Sequence, residues 1–180
     1  MALRVYGDRL LKTLPGLATR PTPSRVREAL FNIWQGRVQN CRWLDLCTGS
    51  GAMAAEALLR GAASVVGIEQ SGSACKLIKQ NLQNMINPTQ AFSIHRGDVL
   101  KVIPKLQPQK FDLVYFDPPY QSDWYELAIA ALPPLLTDDA TVAVEHDRAR
   151  LLADVIGDLV AVDRRKYGQT AIAFYELDNK

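Results

Sequence analysis

Four consecutive residues, Asp117, Pro118, Pro119 and Tyr120, have the chemistry needed to methylate a planar amino nitrogen. The lone pair of such a nitrogen, on adenine, cytosine or guanine, is delocalised into the ring, so the nitrogen is a poor nucleophile. The Asp117 carboxylate and the Pro118 carbonyl are acceptors that could hold its N–H groups, and the proline rings stiffen the loop. Tyr120 offers a flat face for an unstacked base. The simpler alternative is a turn that ends the apolar, strand-like segment 111–116.

A second loop, residues 45–51, has the composition of a cofactor-binding turn. Gly49 and Gly51 allow the backbone to turn tightly and to approach a ligand closely. With Ala54 they also fit the dinucleotide pattern G-x-G-x-x-A. However, a carboxylate at the loop's entrance would repel a pyrophosphate and attract an ammonium group, which favours S-adenosyl-L-methionine. The contacts predicted from this loop are Asp45, Cys47, Gly49, Ser50 and Gly51.

Two further acidic residues stand where the adenosine half of that cofactor is expected. Glu69 ends the next predicted strand, at the point where nucleoside-binding sheets place an acid that accepts hydrogen bonds from ribose hydroxyls. Asp98 begins the segment after the third strand and could accept the adenine amino group, although it is equally suited to cap a helix. The neighbouring Gln70 and Val99 complete the predicted cofactor site.

Strand-like and helix-like segments alternate along residues 41–180, which predicts an open, mostly parallel sheet covered by helices on both faces. Two final strands joined at Gly168 and Gln169 add one antiparallel strand. We therefore predict an α/β, Rossmann-like methyltransferase domain with a seven-stranded sheet, and a short helix over residues 149–156. Residues 1–40 form a basic arm with a hairpin around Gly7 and Asp8 and a helix that Thr22 would cap.

The composition bounds the class of protein. The 180 residues include three cysteines without CxxC spacing and two histidines, which indicates neither a metal site nor a disulfide framework. The absence of a long apolar run and of a secretory signal predicts a cytoplasmic protein. The net charge of +2 conceals an asymmetry, since residues 1–40 carry seven basic and two acidic side chains. A basic arm of this kind suits a polyanionic partner.

Several of these segments resemble the bacterial 16S ribosomal RNA guanine-N2 methyltransferases. The matching segments are residues 20–22, 25–32, 44–51, 56–57, 60–62, 117–120 and 167–170. The family usually has Phe-Ala where this chain has Cys47 and Thr48, and a Gly-Gly near the start where this chain has Val5, Tyr6 and Gly7. The resemblance implies methylation of one guanine in small-subunit rRNA, within an assembling or assembled 30S particle. We expect the enzyme to be a monomer.

Basic residues of the arm and of the last strands are expected to hold the RNA. If the segment 159–167 runs parallel to the other strands, its end lies at the ligand edge of the sheet, where phosphate contacts would position the substrate. Alternatively, the arginines pair with acidic residues of the domain and serve folding. The predicted RNA-binding residues are Arg4, Arg20, Thr22, Arg25, Arg27, Arg164, Arg165 and Lys166.

Two other functions stay open on the residues alone. The Asp-Pro-Pro-Tyr sequence also serves DNA adenine-N6 methyltransferases, but the connection from Glu69 to Asp117 has no room for an insert that reads a DNA site. A non-catalytic RNA-binding module would keep the fold without needing an intact pocket. The methyl transfer that we predict requires neither a metal ion nor a covalent intermediate.

Overall fold

The computed structural model describes residues 2–14 and 24–178. The strands in these ranges are β1 Ala2–Val5, β2 Arg9–Lys12, β3 Arg42–Leu46, β4 Ser64–Glu69, β5 Ala91–Arg96, β6 Phe111–Phe116, β7 Leu136–Asp147, β8 Val155–Ile156, β9 Leu159–Tyr167 and β10 Thr170–Leu177. The α-helices are α1 Ser24–Ile33, α2 Ala52–Leu59, α3 Gly72–Gln83, α4 Val99–Val102 and α5 Tyr125–Ala130. Short 3-10 helices cover Tyr6–Asp8, Ile103–Leu106 and Pro133–Leu135. No helix in these ranges is long and apolar enough to cross a membrane.

The main sheet has the strand order β5-β4-β3-β6-β7-β10-β9-β8. The first five strands in this order are parallel, and β10 is antiparallel to both neighbours, β7 and β9. Leu44, Leu46, Val114 and Phe116 are fully buried in the central strands, as a sheet covered on both faces requires. The predicted α/β fold with a mostly parallel sheet and an antiparallel strand is confirmed. The described sheet has eight strands where we predicted seven, because the two-residue strand β8 pairs with β9 at its edge.

Helices cover the two faces of this sheet with separate apolar cores. On one face, the ring of Phe31 from α1 stacks on Trp43 with a centroid distance of 5.4 Å, and Trp34 meets the same ring edge-on at 5.3 Å. On the other face, Phe116 contacts Tyr125 of α5 at 5.6 Å. Because both faces are covered, a ligand reaches the central strands at their ends.

The helix predicted over residues 149–156 is wrong, because this segment begins in a turn, is irregular in its middle and ends in the two-residue strand β8. Its carbonyls are bonded by side chains from other strands, not by a helical ladder. The Tyr175 hydroxyl donates to the Ala153 carbonyl at 2.7 Å, and Arg164 Nη2 donates to the Leu152 carbonyl at 3.0 Å. Tertiary hydrogen bonds thus override the local helix propensity.

The hairpin of the arm is joined to the domain at both strands. Strands β1 and β2 pair antiparallel in a sheet of their own. Asn81 of α3 holds Lys12 through two backbone hydrogen bonds, accepting from its N–H at 3.2 Å and donating to its carbonyl at 2.9 Å. Arg27 of α1 donates to the Arg4 carbonyl at 2.9 Å. The predicted hairpin is therefore present and is fastened to two helices.

Arg27 corrects one of our sequence predictions. We expected it to contact RNA, but its side chain is 3% exposed and lies 2.5 Å from the Glu56 carboxylate. Glu56 is 2% exposed and also pairs with Arg60 at 2.8 Å. The guanidinium of Arg60 in turn lies 4.3 Å above the Tyr6 ring of the hairpin. Arg27 therefore follows the alternative interpretation, in which an arginine of the arm pairs with the domain and serves folding.

Replacing Arg27 with methionine should lower the free energy of unfolding by about 3 kcal/mol, because breaking a buried ion pair leaves a buried charge short of a partner. Arg25 lies two residues away on the same helix and is exposed. Arg25→Met should change the free energy by no more than about 0.5 kcal/mol. Urea unfolding monitored by circular dichroism measures both variants. Equal effects of the two substitutions would contradict the structural role of Arg27.

Candidate active site

The carboxyl ends of β3, β4, β5 and β6 border a cavity of about 590 Å³. Parallel strands place these ends at one edge of the sheet, so the loops that follow them meet there. Gly51, the remaining predicted cofactor contact, starts α2 behind the cavity wall. The other predicted cofactor and catalytic residues all line the cavity: Asp45, Cys47, Gly49, Ser50, Glu69, Gln70, Asp98, Val99, Asp117, Pro118, Pro119 and Tyr120.

The loop after β3 turns through an unusual backbone path. Cys47, Gly49 and Gly51 have φ angles of 70°, 56° and 79°, a region that glycine adopts freely and that strains Cys47. Thr48 fixes the turn, because its backbone N–H and its hydroxyl donate to the Ile68 carbonyl at 2.9 and 3.1 Å. These two hydrogen bonds therefore fix the loop to β4 before any ligand binds.

Glu69 links this loop to the end of β4. Its Oε2 accepts from the Gly49 N–H at 2.9 Å, and its Oε1 accepts from the Ser71 N–H at 2.7 Å. Each carboxylate oxygen has a second lone pair. The two backbone bonds thus orient the carboxylate and leave it able to accept hydrogen bonds from a ribose.

Asp98 caps a helix at the border of the cavity. Its side chain caps α4 by accepting from the Leu100 N–H at 2.9 Å. The residue is exposed and also lines the cavity. The helix-cap alternative is therefore right, and it leaves lone pairs of the carboxylate for an amino group in the cavity.

Asp45 is a buried carboxylate beside the cavity. Its side chain is 1% exposed, and its Oδ2 has no hydrogen-bond partner among the residues described. Burial raises its pKa from 3.8 to about 8, the charge of Glu69 adds to this, and the Ala54 N–H opposes it. A cationic group in the cavity would stabilise the ionised form. Asp45 therefore fits the ammonium end of S-adenosyl-L-methionine, while Glu69 and Asp98 fit its ribose and adenine.

The loop after β6, which carries Asp117, is held from its outer side by Arg150. The Arg150 Nη2 donates to the carbonyls of Tyr120 and Ser122, both at 2.8 Å. Its guanidinium carbon also lies 4.3 Å from the centre of the Tyr125 ring. The Tyr125 hydroxyl donates to the Pro118 carbonyl at 3.4 Å, which leaves that carbonyl a second lone pair. The backbone of this loop, including the Pro118 carbonyl, is thus held in place in advance of a substrate.

Burial also decides which groups near this loop ionise. It raises the pKa of Tyr120 to about 12 and also raises that of Tyr125. Both hydroxyls are therefore neutral donors at physiological pH. Burial and the nearby acidic residues likewise raise the pKa of Cys47, so its thiol is not a nucleophile.

Sequence reasoning missed several residues of the site. Thr48 lies inside the glycine loop and could have been found from that position. Glu145 and Thr170 bond Tyr120 from 25 and 50 residues away, and Arg150 holds it from 30 residues away. No local motif connects such distant residues, so the pairing of β7 and β10 was needed to find them.

The predicted RNA-binding residues of the late strand lie at the same edge as the cavity. Because β9 is antiparallel to β10, it runs parallel to β7, so its carboxyl end points towards the cavity side. Arg164 pairs with Asp154 at 2.8 Å and Arg165 with Asp163 at 2.7 Å, while Lys166 is exposed. Exposed ion pairs are weak, so Arg165 can exchange its partner for a phosphate. Arg164 is less available, because its Nη2 also donates to the Leu152 carbonyl.

The predicted RNA-binding residues of the arm differ from one another in burial and pairing. Arg4 and Arg25 are not buried, and Arg4 pairs with Asp8 at 2.8 Å in an exposed ion pair. Arg27 is buried and paired, as described above. Arg20 and Thr22 lie outside the described residues, so their predicted contacts stay predictions.

The raised pKa of Asp45 leads to a pH-dependent stability. Between its ordinary pKa of 3.8 and the folded-state value of about 8, the folded chain holds a proton that the unfolded chain has lost. The free energy of unfolding should therefore fall as the pH rises through this window. Asp45→Asn should remove that fall and stabilise the ligand-free protein at pH 7, while weakening cofactor binding. Urea titrations at several pH values and calorimetry measure the two effects, and identical pH profiles for both proteins would contradict them.

Comparison with known proteins places these features in a family. A family model described as "Conserved hypothetical protein 95" matches residues 4–176. The chain is 37% identical to the ribosomal RNA small subunit methyltransferase D of Haemophilus influenzae, over 82% of this chain and 78% of that protein. It is 30% identical to the candidate rRNA methyltransferase YlbH of Bacillus subtilis, over 93% of each chain.

A solved structure agrees with the sequence relatives. The methyltransferase candidate yhhF from Escherichia coli superimposes with a TM-score of 0.82 at 27% identity, and the match covers 100% of both chains. The family match spans the arm, the cofactor loop and the loop that carries Asp117. The chain therefore belongs to this family, which includes the ribosomal RNA small subunit methyltransferases D.

Proposed function

We propose that this protein transfers a methyl group from S-adenosyl-L-methionine to the N2 amino group of one guanine in 16S ribosomal RNA. The observation that carries the proposal is the shared cavity. It brings the acidic side chains at the ends of β3, β4 and β5 together with the loop of Asp117 and Pro118 at the end of β6.

Residues of the chain would hold the cofactor at three points. Asp45 would take the ammonium group, Glu69 the ribose hydroxyls and Asp98 the adenine amino group. The bound cofactor supplies an electrophilic methyl group on a sulfonium. The loop that follows β3 packs closely against α3, because a Cβ at Gly51 would lie 3.1 Å from a side-chain carbon of Ile78.

The loop that follows β6 would hold the attacking amino group. The Asp117 carboxylate and the Pro118 carbonyl accept hydrogen bonds from its two N–H groups. These bonds orient the nitrogen lone pair and make it more available for attack. As the nitrogen gains the methyl group it loses one proton, which leaves along the hydrogen bond to an Asp117 oxygen. Tyr120 provides the face against which the unstacked base lies.

The choice of guanine in small-subunit rRNA rests on the relatives, because the loop itself also suits adenine. The Haemophilus influenzae relative is named as an rRNA small subunit methyltransferase. The main sheet also lacks an insert for reading a DNA site, since the described segment from β4 to β6 consists of α3, β5, α4 and one short 3-10 helix. We extend the proposal to a monomeric enzyme in the cytoplasm that acts on an assembling or assembled 30S particle.

Asp117→Ala should reduce methyl transfer by roughly 10²–10³-fold, because it removes one preorganised acceptor from the reacting amino group. Single-turnover assays with labelled cofactor on 30S particles, naked 16S rRNA and DNA measure the rate and the preferred substrate. Asp123→Ala is the matched control, since Asp123 is an exposed carboxylate six residues further along the same segment. A rate for Asp117→Ala within a few-fold of the control, or transfer to DNA alone, would contradict the proposal.

The exposed side chains of Arg25 and Lys166 should contribute phosphate contacts. Replacing the exposed Arg25 and Lys166 with glutamate should weaken RNA binding and reduce its salt dependence by about one unit of slope for each lost contact. Lys105→Glu makes the same charge change on an exposed residue just before β6, at the opposite edge of the sheet. It should leave the salt slope unchanged, and cofactor affinity should be the same in every variant. Equal slopes for all variants in filter-binding titrations would contradict this surface.

A further inference from the structure

A buried carboxylate lies behind the loop that carries Asp117. Glu145 of β7 is 2% exposed and lines the cavity. Its Oε2 accepts from the Tyr115 hydroxyl at 2.5 Å, and its Oε1 accepts from the Tyr120 hydroxyl at 3.2 Å. The Tyr120 oxygen also lies 2.8 Å from the Thr170 hydroxyl. The far end of the Tyr120 ring is thus fixed to two neighbouring strands.

These bonds leave Tyr120 little freedom to rotate. Its backbone carbonyl is held by Arg150 at 2.8 Å and its hydroxyl by Glu145 and Thr170. The residue is therefore anchored at both ends, while the part between them borders the cavity. A ring held in this way presents a fixed plane to the cavity.

An apolar packing arrangement would be the less costly way to fill this position. A carboxylate that is 2% exposed has lost most of its hydration, and burial of an ion costs several kcal/mol unless its hydrogen bonds compensate. Phenylalanine at the tyrosine positions and an apolar residue at 145 would avoid this cost. The polar network gives directionality instead, because hydrogen bonds fix an orientation that apolar contacts leave broad.

We infer that Glu145 is a positioning residue for the target nucleotide, which it serves by holding the Tyr120 ring in the plane on which the base stacks. The inference rests on the proposed function, since it assumes that a base enters the cavity beside Tyr120. Without Glu145 the ring rotates, and the base is no longer held in line with the acceptors of Asp117 and Pro118. Methyl transfer slows, while the cofactor pocket is undisturbed.

A double-mutant cycle of Glu145→Gln and Tyr120→Phe tests this coupling. Tyr120→Phe keeps the ring and removes its anchor, so each single variant should slow single-turnover methylation by about tenfold or more, the value of a hydrogen bond to a charged group. The double variant should be no slower than the slower single variant. Each single variant should lower the maximal rate and raise the RNA concentration that gives the half-maximal rate. Calorimetry should show that the cofactor affinity is unchanged. If the rate losses of the two single variants multiply in the double variant, the inference is overturned, because Glu145 would then act on the substrate or the fold by another route.

Tyr175→Phe is the matched control for loss of a buried tyrosine hydroxyl. Tyr175 is fully buried, and its hydroxyl donates to the Ala153 carbonyl at 2.7 Å, outside the cavity lining. This variant should lose stability without a change in the methylation rate. If Glu145→Gln fails to fold, Glu145→Leu replaces it in the cycle, since an apolar side chain of similar size also removes the acceptor of the Tyr120 hydroxyl. The same non-additivity with Tyr120→Phe is then expected, and additive effects would overturn the inference.

A crystal structure of Glu145→Gln separates the inference from the proposed function. The Tyr120 ring should be displaced or should occupy more than one orientation, and an unmoved ring would overturn the inference. This comparison needs no substrate. If the wild-type protein methylates no guanine in rRNA, the proposed function fails, and the position of the ring still decides whether Glu145 orients Tyr120.

Discussion

The parallel pairing of β3 with both β4 and β6 is the constraint on which the site depends. It forces the loops after these strands to the same edge of the sheet, although 72 residues separate Asp45 from Asp117 in the sequence. The helices that follow β3 and β6 pack on opposite faces, so the two loops diverge and leave a space between them. The apolar core that covers both faces thereby also creates the cavity.

Ionisable groups are buried in two different ways in this fold. Arg27 and Glu56 are paired, and their ion pair joins the arm to α2. Asp45 and Glu145 instead border the cavity. One oxygen of Asp45 has no hydrogen-bond partner among residues 2–14 and 24–178, whereas Glu145 accepts from two tyrosines. The free-energy cost of burying these two carboxylates arises at the cavity. There Asp45 would meet a cationic ligand, and we infer that Glu145 orients the Tyr120 ring. Stability and function therefore place opposite demands on Asp45.

The sheet and most of the cavity lining could be predicted because their signals are local. Each strand is a short apolar run, the glycines of residues 49–51 mark a turn, and Asp117 directly follows a strand. The supports of the site could not be predicted in this way, since Glu145, Arg150 and Thr170 reach Tyr120 across strand pairings. Two predictions from the residue pattern were wrong. The segment 149–156 is not helical and is bonded by Arg164 and Tyr175, and Arg27 is buried although its charge indicated a surface position.

Nucleoside mass spectrometry of 16S rRNA, digested after incubation of 30S particles with the protein and a deuterated cofactor, tests the central claim most directly. The account predicts one labelled product, N2-methylguanosine, in a stoichiometry that approaches one per particle. The loop of Asp117 and Pro118 would hold the amino group of adenine as readily as that of guanine, so the identity of the base is the point most open to refutation. Labelled N6-methyladenosine in place of N2-methylguanosine would contradict the account.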